Sequence, residues 1–211
     1  MQGRSRGYIG VMNIRTALLA PLAALALTLP LHAKEVPLDV LSGYLNSLTS
    51  FQAPFVQVNA DGSKSKGMIY VQRPGRARFE YTAPDKNLVI AAGGQVVIFD
   101  AKSNEPPEQY PLSRTPLNLI LAQSVNLSAA KMVVGHGEVG GATIVRAQDP
   151  KHPDYGTIDL VFSENPIALT KWIITDDIGN QTSVTLGGMD VGKKFGASLF
   201  SMEIEVAKRS K

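Results

Sequence analysis

From Phe51 onward the apolar residues of this chain stop recurring every third or fourth position and begin to alternate. Alternation sends successive side chains to opposite faces of an extended strand. In RARFEY, for example, Ala77, Phe79 and Tyr81 share one face, and Arg76, Arg78 and Glu80 take the other. FQAPFVQV and MIYVQ flank a polar DGSKSKG turn, and LVIAA and QVVIFD flank Gly93-Gly94. KMVVGH, GATIVRA, GTIDLVF, ALTKWIITD and NQTSVTLGG follow, joined by short turn segments. Successive strands linked this way predict an antiparallel meander. Helical spacing survives in two places. After Pro37, Leu38, Leu41, Leu45 and Leu48 form a stripe that Val40 and Tyr44 widen. The second is LNLIL, with Thr115 as cap, Pro116 in the first turn and almost no polar face. Residues 101–113 hold three prolines and read as loop. The prediction is a large, strongly curved antiparallel sheet, forming a closed or an open barrel, whose concave face two helices cover.

The first thirty-three residues predict a different fate. Arg15 followed by the small and aliphatic run Ala17 to Leu31, ending at Leu31-His32-Ala33, reads as a secretory signal cleaved near Ala33. Residues 1–11 read as an upstream extension, and 34–211 as a single domain. Removing the signal cancels the chain's formal charge of +3, since Arg4, Arg6 and Arg15 leave with it. Of 21 basic residues 18 remain, against 18 acidic ones, so the basic-aromatic stretch YVQRPGRARFEY loses its case as a nucleic-acid surface. Lys193, Lys194, Lys208, Arg209 and Lys211 read as a solvated tail. An exported chain with no cysteine must fold by core packing alone, which suits a bacterial periplasm.

The sequence offers little for catalysis. His136, at a strand end, and His152, in the loop PKHPDY, stand far apart and in no metal-ligand spacing. Asp154, Asp159, Glu164, Asp176 and Asp177 are scattered over turns and one strand. The expectation is a protein that is not an enzyme and uses no metal or cofactor. Under the helices lies either a packed core or a cavity for an apolar ligand. The nearly all-apolar second helix and Met68, Met132, Met189 and Met202 suit surfaces that exchange one apolar contact for another.

The leucine-striped helix, Phe51-x-x-x-Phe55-x-Gln57, Arg73-Pro74 with its basic-aromatic strand, the hairpin from Pro84 to Asp100 and TPLNLIL together resemble the LolA family of periplasmic lipoprotein carriers. The match covers most of residues 36–203. It implies an incomplete β-barrel under a helical lid, with acyl chains of triacylated lipoproteins in its interior. It implies a donor, an inner-membrane ABC exporter, and an outer-membrane acceptor like LolB. It casts Arg73 as a latch on lid carbonyls, and Leu45, Leu48, Phe55, Phe79, Tyr81, Leu117, Leu119 and Ile120 as cavity or lid lining. A lipid-binding or envelope-stress sensor protein of the same fold is the alternative. The chain departs from the family in having Phe79 and Phe99 where tryptophans are expected, and Trp172 on a later strand.

Overall fold

The computed structural model describes residues 35–103, 105–115 and 117–209. The expected export signal with its extension, Pro116 and Lys211 lie outside the described residues. Helix α1 (Leu38–Ser47) is followed by β1 (Ser50–Val58), β2 (Lys64–Gln72), β3 (Arg76–Tyr81), β4 (Leu88–Ala92), β5 (Gln95–Phe99) and β6 (Glu108–Pro111). A 3-10 turn (Leu112–Arg114) and α2 (Leu117–Leu121) lead to β7 (Val133–Val139), β8 (Ala142–Gln148), β9 (Thr157–Glu164), β10 (Ile167–Thr175) and β11 (Gln181–Leu186). The chain ends with β12 (Asp190–Val191), a 3-10 turn (Ala197–Phe200) and α3 (Met202–Arg209).

The strands form one antiparallel sheet in the order β6-β5-β4-β3-β2-β1-β11-β10-β9-β8-β7. Its two ends, β6 and β7, do not pair, so the barrel is unclosed, and residues 112–132 lie in sequence between those edges. Strand β1 changes partner along its length: Phe55–Val58 face β11, while Phe51 and Gln52 face β12. Pro54 sits at that change. It has no N–H to offer, and its carbonyl accepts the Gly187 N–H at 2.7 Å.

Alternation sorts the strands as expected. Phe51, Ala53 and Phe55 of β1, Ile69 and Val71 of β2, and Ala77 and Phe79 of β3 all enter one core under α1 and α2. Leu41, Leu45 and Leu48 enter it from the helix side, whereas Val40 faces solvent at 43% exposure. Trp172 lies in the same core, 2% exposed, with its ring edge-on to Phe79 at 6.4 Å. Burying aliphatic and aromatic side chains of this size stabilises by about 1.5–3 kcal/mol each, a contribution that a chain without cysteines cannot draw from disulfides.

Several expectations are corrected. Residues 101–113 are not all loop, because β6 and the 3-10 turn arise there. The Thr115 hydroxyl donates to the Leu112 carbonyl at 2.9 Å and closes the turn preceding α2. His136 lies within β7 rather than at its end, and its Nε2 bonds the Val36 carbonyl at 2.9 Å. A carbonyl only accepts, so that ring nitrogen carries the proton. The basic C-terminal run is not a free tail. Helix α3 docks on the convex face through Met202, against the second cluster Leu88, Ile90, Val97 and Phe99. The Arg209 guanidinium stands 5.0 Å from the centre of the Phe99 ring. Arg78 does take the convex side of β3, but it is 7% exposed beneath this segment. It donates to Glu80 at 2.6 Å, to the Leu199 carbonyl at 3.1 Å and to Glu205 at 3.4 Å.

One glycine is required by close approach. Gly67 lies between Phe55 and Tyr81 in register, and a Cβ there would come within 2.0 Å of the Glu80 carbonyl oxygen. Gly67→Ala is therefore expected to destabilise the protein by about 2–4 kcal/mol, because backbone must move. The check is the urea midpoint at unchanged m-value.

Candidate functional site

The site is built where the turn after β2 meets the ends of both covering helices. Arg73 follows β2, and its backbone N–H donates to the Thr49 carbonyl at 2.8 Å, which fixes where the side chain starts. Its guanidinium then reaches two helix ends at once. Nε and Nη2 donate to the Ala122 carbonyl at 2.9 and 2.6 Å, just past α2. Nη1 donates to the Leu45 carbonyl in the last turn of α1. Nη2 also reaches Asn46 Oδ1 at 3.4 Å. Carbonyls at helix ends lack intrahelical donors and carry partial negative charge, so a planar cation with five donors suits them. Burial lowers the guanidinium's pKa from its usual value, and Arg remains charged throughout the physiological range.

The neighbouring backbone completes the joint. The Gly75 N–H donates to the Leu121 carbonyl at 2.9 Å. The Asn46 amide is used at both ends: it donates to the Val125 carbonyl at 2.8 Å and accepts the Val125 N–H at 2.9 Å. The buried Ser42 hydroxyl accepts the Leu127 N–H at 2.9 Å, and the Tyr44 hydroxyl accepts the Leu169 N–H at 3.0 Å. Thus α1 is tied to β10 and to the segment after α2, while α2 is held at its C-terminal end by the Arg73 turn.

Beneath the helices the surface is apolar. Leu45, Leu48, Phe55, Phe79 and Ile120 are buried in the core, and Tyr81, Leu117 and Leu119 pack against it half-buried. All eight expected lining residues thus come together. Phe55 meets Phe79 and Tyr81 edge-on, with ring centres 5.8 and 5.1 Å apart. The Tyr81 hydroxyl donates to Gln57 Oε1 at 2.7 Å, which gives the glutamine of the Phe51-Phe55-Gln57 motif a task. The chain's own side chains fill the middle of the concave face. Phe99 belongs to the opposite face and lines nothing here. Trp172, Tyr44 and Asn46 are parts of the site that motif reading did not single out. Tyr44 stood in the helical stripe, Trp172 needed the strand order, and Asn46 gave no signal.

Among the described residues no cluster of His, Asp or Glu could hold a metal ion, and no helix is long and apolar enough to cross a membrane. The site is thus an unclosed antiparallel barrel whose apolar concave face lies under two short helices joined by one arginine. The chain belongs to the family described as outer membrane lipoprotein carrier protein LolA, whose model matches residues 46–203. It is 26% identical over 192 residues to an outer-membrane lipoprotein carrier protein of Chromohalobacter salexigens, covering 86% of this chain and 90% of that one. It is 25% identical over 177 residues to the protein of the same description from Methylococcus capsulatus, covering 80% and 84%. Among solved structures it is similar to a LolA superfamily protein from Nitrosomonas europaea, with a TM-score of 0.46 at 10% identity, covering 80% of this chain and 99% of that one. It is also similar to the MucA/MucB complex of Pseudomonas aeruginosa, with a TM-score of 0.42 at 14% identity, covering 78% and 59%.

The Tyr81 phenol supplies a spectroscopic handle on the interior. Burial, aided by the charge of Asp85, pushes its pKa up to about 12, whereas an unfolded tyrosine ionises near 10. The folded state thus holds this proton more tightly. The stabilisation is complete below about pH 10 and is lost as pH rises toward 12. Tyr81→Phe is expected to flatten that alkaline loss of stability. The check is the difference between wild-type and variant denaturation midpoints from pH 9 to 12; an unchanged slope would contradict the assignment.

Proposed function

We propose that this protein is an exported, periplasmic carrier, its signal cleaved near Ala33, that takes the acyl chains of triacylated lipoproteins into the space under α1 and α2. In this reading an inner-membrane ABC exporter loads it, and an outer-membrane acceptor resembling LolB unloads it. The observation that carries the proposal is the Arg73 guanidinium bonded to the ends of both covering helices above an apolar floor. The family and the names of the relatives support the choice of lipoprotein as cargo.

The energetics favour reversible exchange. Lifting the lid uncovers Leu45, Leu48, Leu117 and Ile120, each contributing about 1.5–3 kcal/mol when fully buried. Entering acyl chains restore apolar contact at about 0.8 kcal/mol per methylene. One set of contacts replaces the other, so net affinity stays far below the gross burial. Arg73 adds a few hydrogen bonds to the closed form only, which biases the exchange toward release. Lysine could not substitute, since one ammonium does not span two carbonyls as the planar fork does.

Two experiments test this. Spheroplasts of the source bacterium, incubated with purified protein, should release a triacylated lipoprotein as a water-soluble one-to-one complex; no complex in the soluble fraction would refute the cargo. Arg73→Leu should still load, but hand cargo to acceptor membranes on the order of tenfold more slowly, because the closed form loses its charged hydrogen bonds. Transfer at the wild-type rate would remove the latch role.

A further inference from the structure

The seam of the unclosed barrel contains a second feature, on the side of α2 away from Arg73. Between α2 with its preceding 3-10 turn and the ends of β8 and β9 lies a cleft of about 350 Å³. Leu119, Met132, Ala147 and Ile158 form its apolar wall. Ala147 and Ile158 are 3% and 4% exposed and belong to the main core, so the cleft ends blind against packed side chains. Its rim carries Arg114 and Lys151, both exposed, and neither has an ion pair among the described residues. Asp149 is the carboxylate in the lining, and its Oδ1 accepts the Lys151 backbone N–H at 2.8 Å. The side-chain charge around the mouth is thus two positive against one negative.

We propose that this cleft binds a single-chain anionic amphiphile, a fatty acid or a lysophospholipid, with its alkyl chain along Leu119 and Met132 and its carboxylate or phosphate between Arg114 and Lys151. The size argues for one chain. The volume lies at the low end of small-molecule sites, which run from roughly 300 to 1,000 Å³, and the blind end prevents deeper entry without unpacking the core. The charge argues for an anion, since unpaired cations at the mouth of an apolar slot complement a negative headgroup. The site lies on the β8–β9 flank of α2 and Arg73 is not in its lining, so the cleft is open while Arg73 holds both helix ends. It goes beyond lipoprotein carriage and stands whether or not the interior takes cargo.

The test is titration of the purified full chain with carboxyl-labelled dodecanoate below its aggregation concentration, followed by NMR. Shifts should centre on Leu119, Met132 and Ile158, while Leu45 and Phe79 stay unmoved. Arg114→Gln and Lys151→Gln should each weaken dodecanoate up to about fivefold at low salt, less at high salt, and leave dodecanol unaffected. Both residues are exposed, so the variants fold. Shifts spreading from Phe79 and Trp172, equal binding by the double variant, or binding only of aggregated dodecanoate would overturn the proposal. A lysophosphatidic acid arm then distinguishes phosphate from carboxylate as the preferred headgroup. Lipoprotein release from spheroplasts, measured on the same double variant, reads the carrier function separately and should be unchanged.

Discussion

The governing constraint is a curved sheet that cannot close. Among the described residues, eleven strands run in neighbour order from β6 to β7, and those end strands do not pair with each other, so the concave face has an open side. That face is apolar and has to be covered, and local sequence supplies two short helices as the cover. Everything else follows from the mismatch between a rigid sheet and a cover that sequence alone does not lock. Arg73 resolves it with donors to both helix ends, and Asn46, Ser42 and Tyr44 add fixed points. The cover therefore rests on few polar contacts, while the sheet beneath rests on continuous ladders. Local stability follows such a difference in contact density.

Most strands and the first covering helix are legible because each follows a strict period, and the second helix from its short apolar run after Pro116. Phe55, Phe79 and Tyr81 could be assigned to one interior from alternation alone, and Leu41, Leu45 and Leu48 to the opposing helix stripe. Val40 was misplaced for a simple reason. A widened stripe on a helix lying against one curved face reaches past the covered arc. Resemblance, not periodicity, pointed to Arg73, and the geometry then provided the two carbonyls.

What escaped the sequence is non-local. Arg78 looked like an exterior arginine because alternation gives the face of a strand, not what lands on that face later. Its burial depends on Leu199 and Glu205, more than a hundred residues away. Helix α3 has a charged, basic sequence that suits solvent equally well, and only the apolar patch Leu88-Ile90-Val97-Phe99 makes docking worthwhile. Strand β6 hides among prolines, since an edge strand tolerates missing N–H groups on its open side. Gly67 was unreadable as a requirement, because its crowding comes from the Glu80 backbone of the next strand.

The docked C-terminal segment has a mechanical consequence. Strand β3 is gripped from both sides, by Phe79 in the core and by Arg78 under Leu199 and Glu205. The Arg73 turn is the loop that joins β2 to this doubly clamped strand. Under the proposed function, strain from a filled interior would find that turn stiff and fall on the helices, which rest on fewer contacts. Stiffness on the outer wall thus determines which inner wall yields.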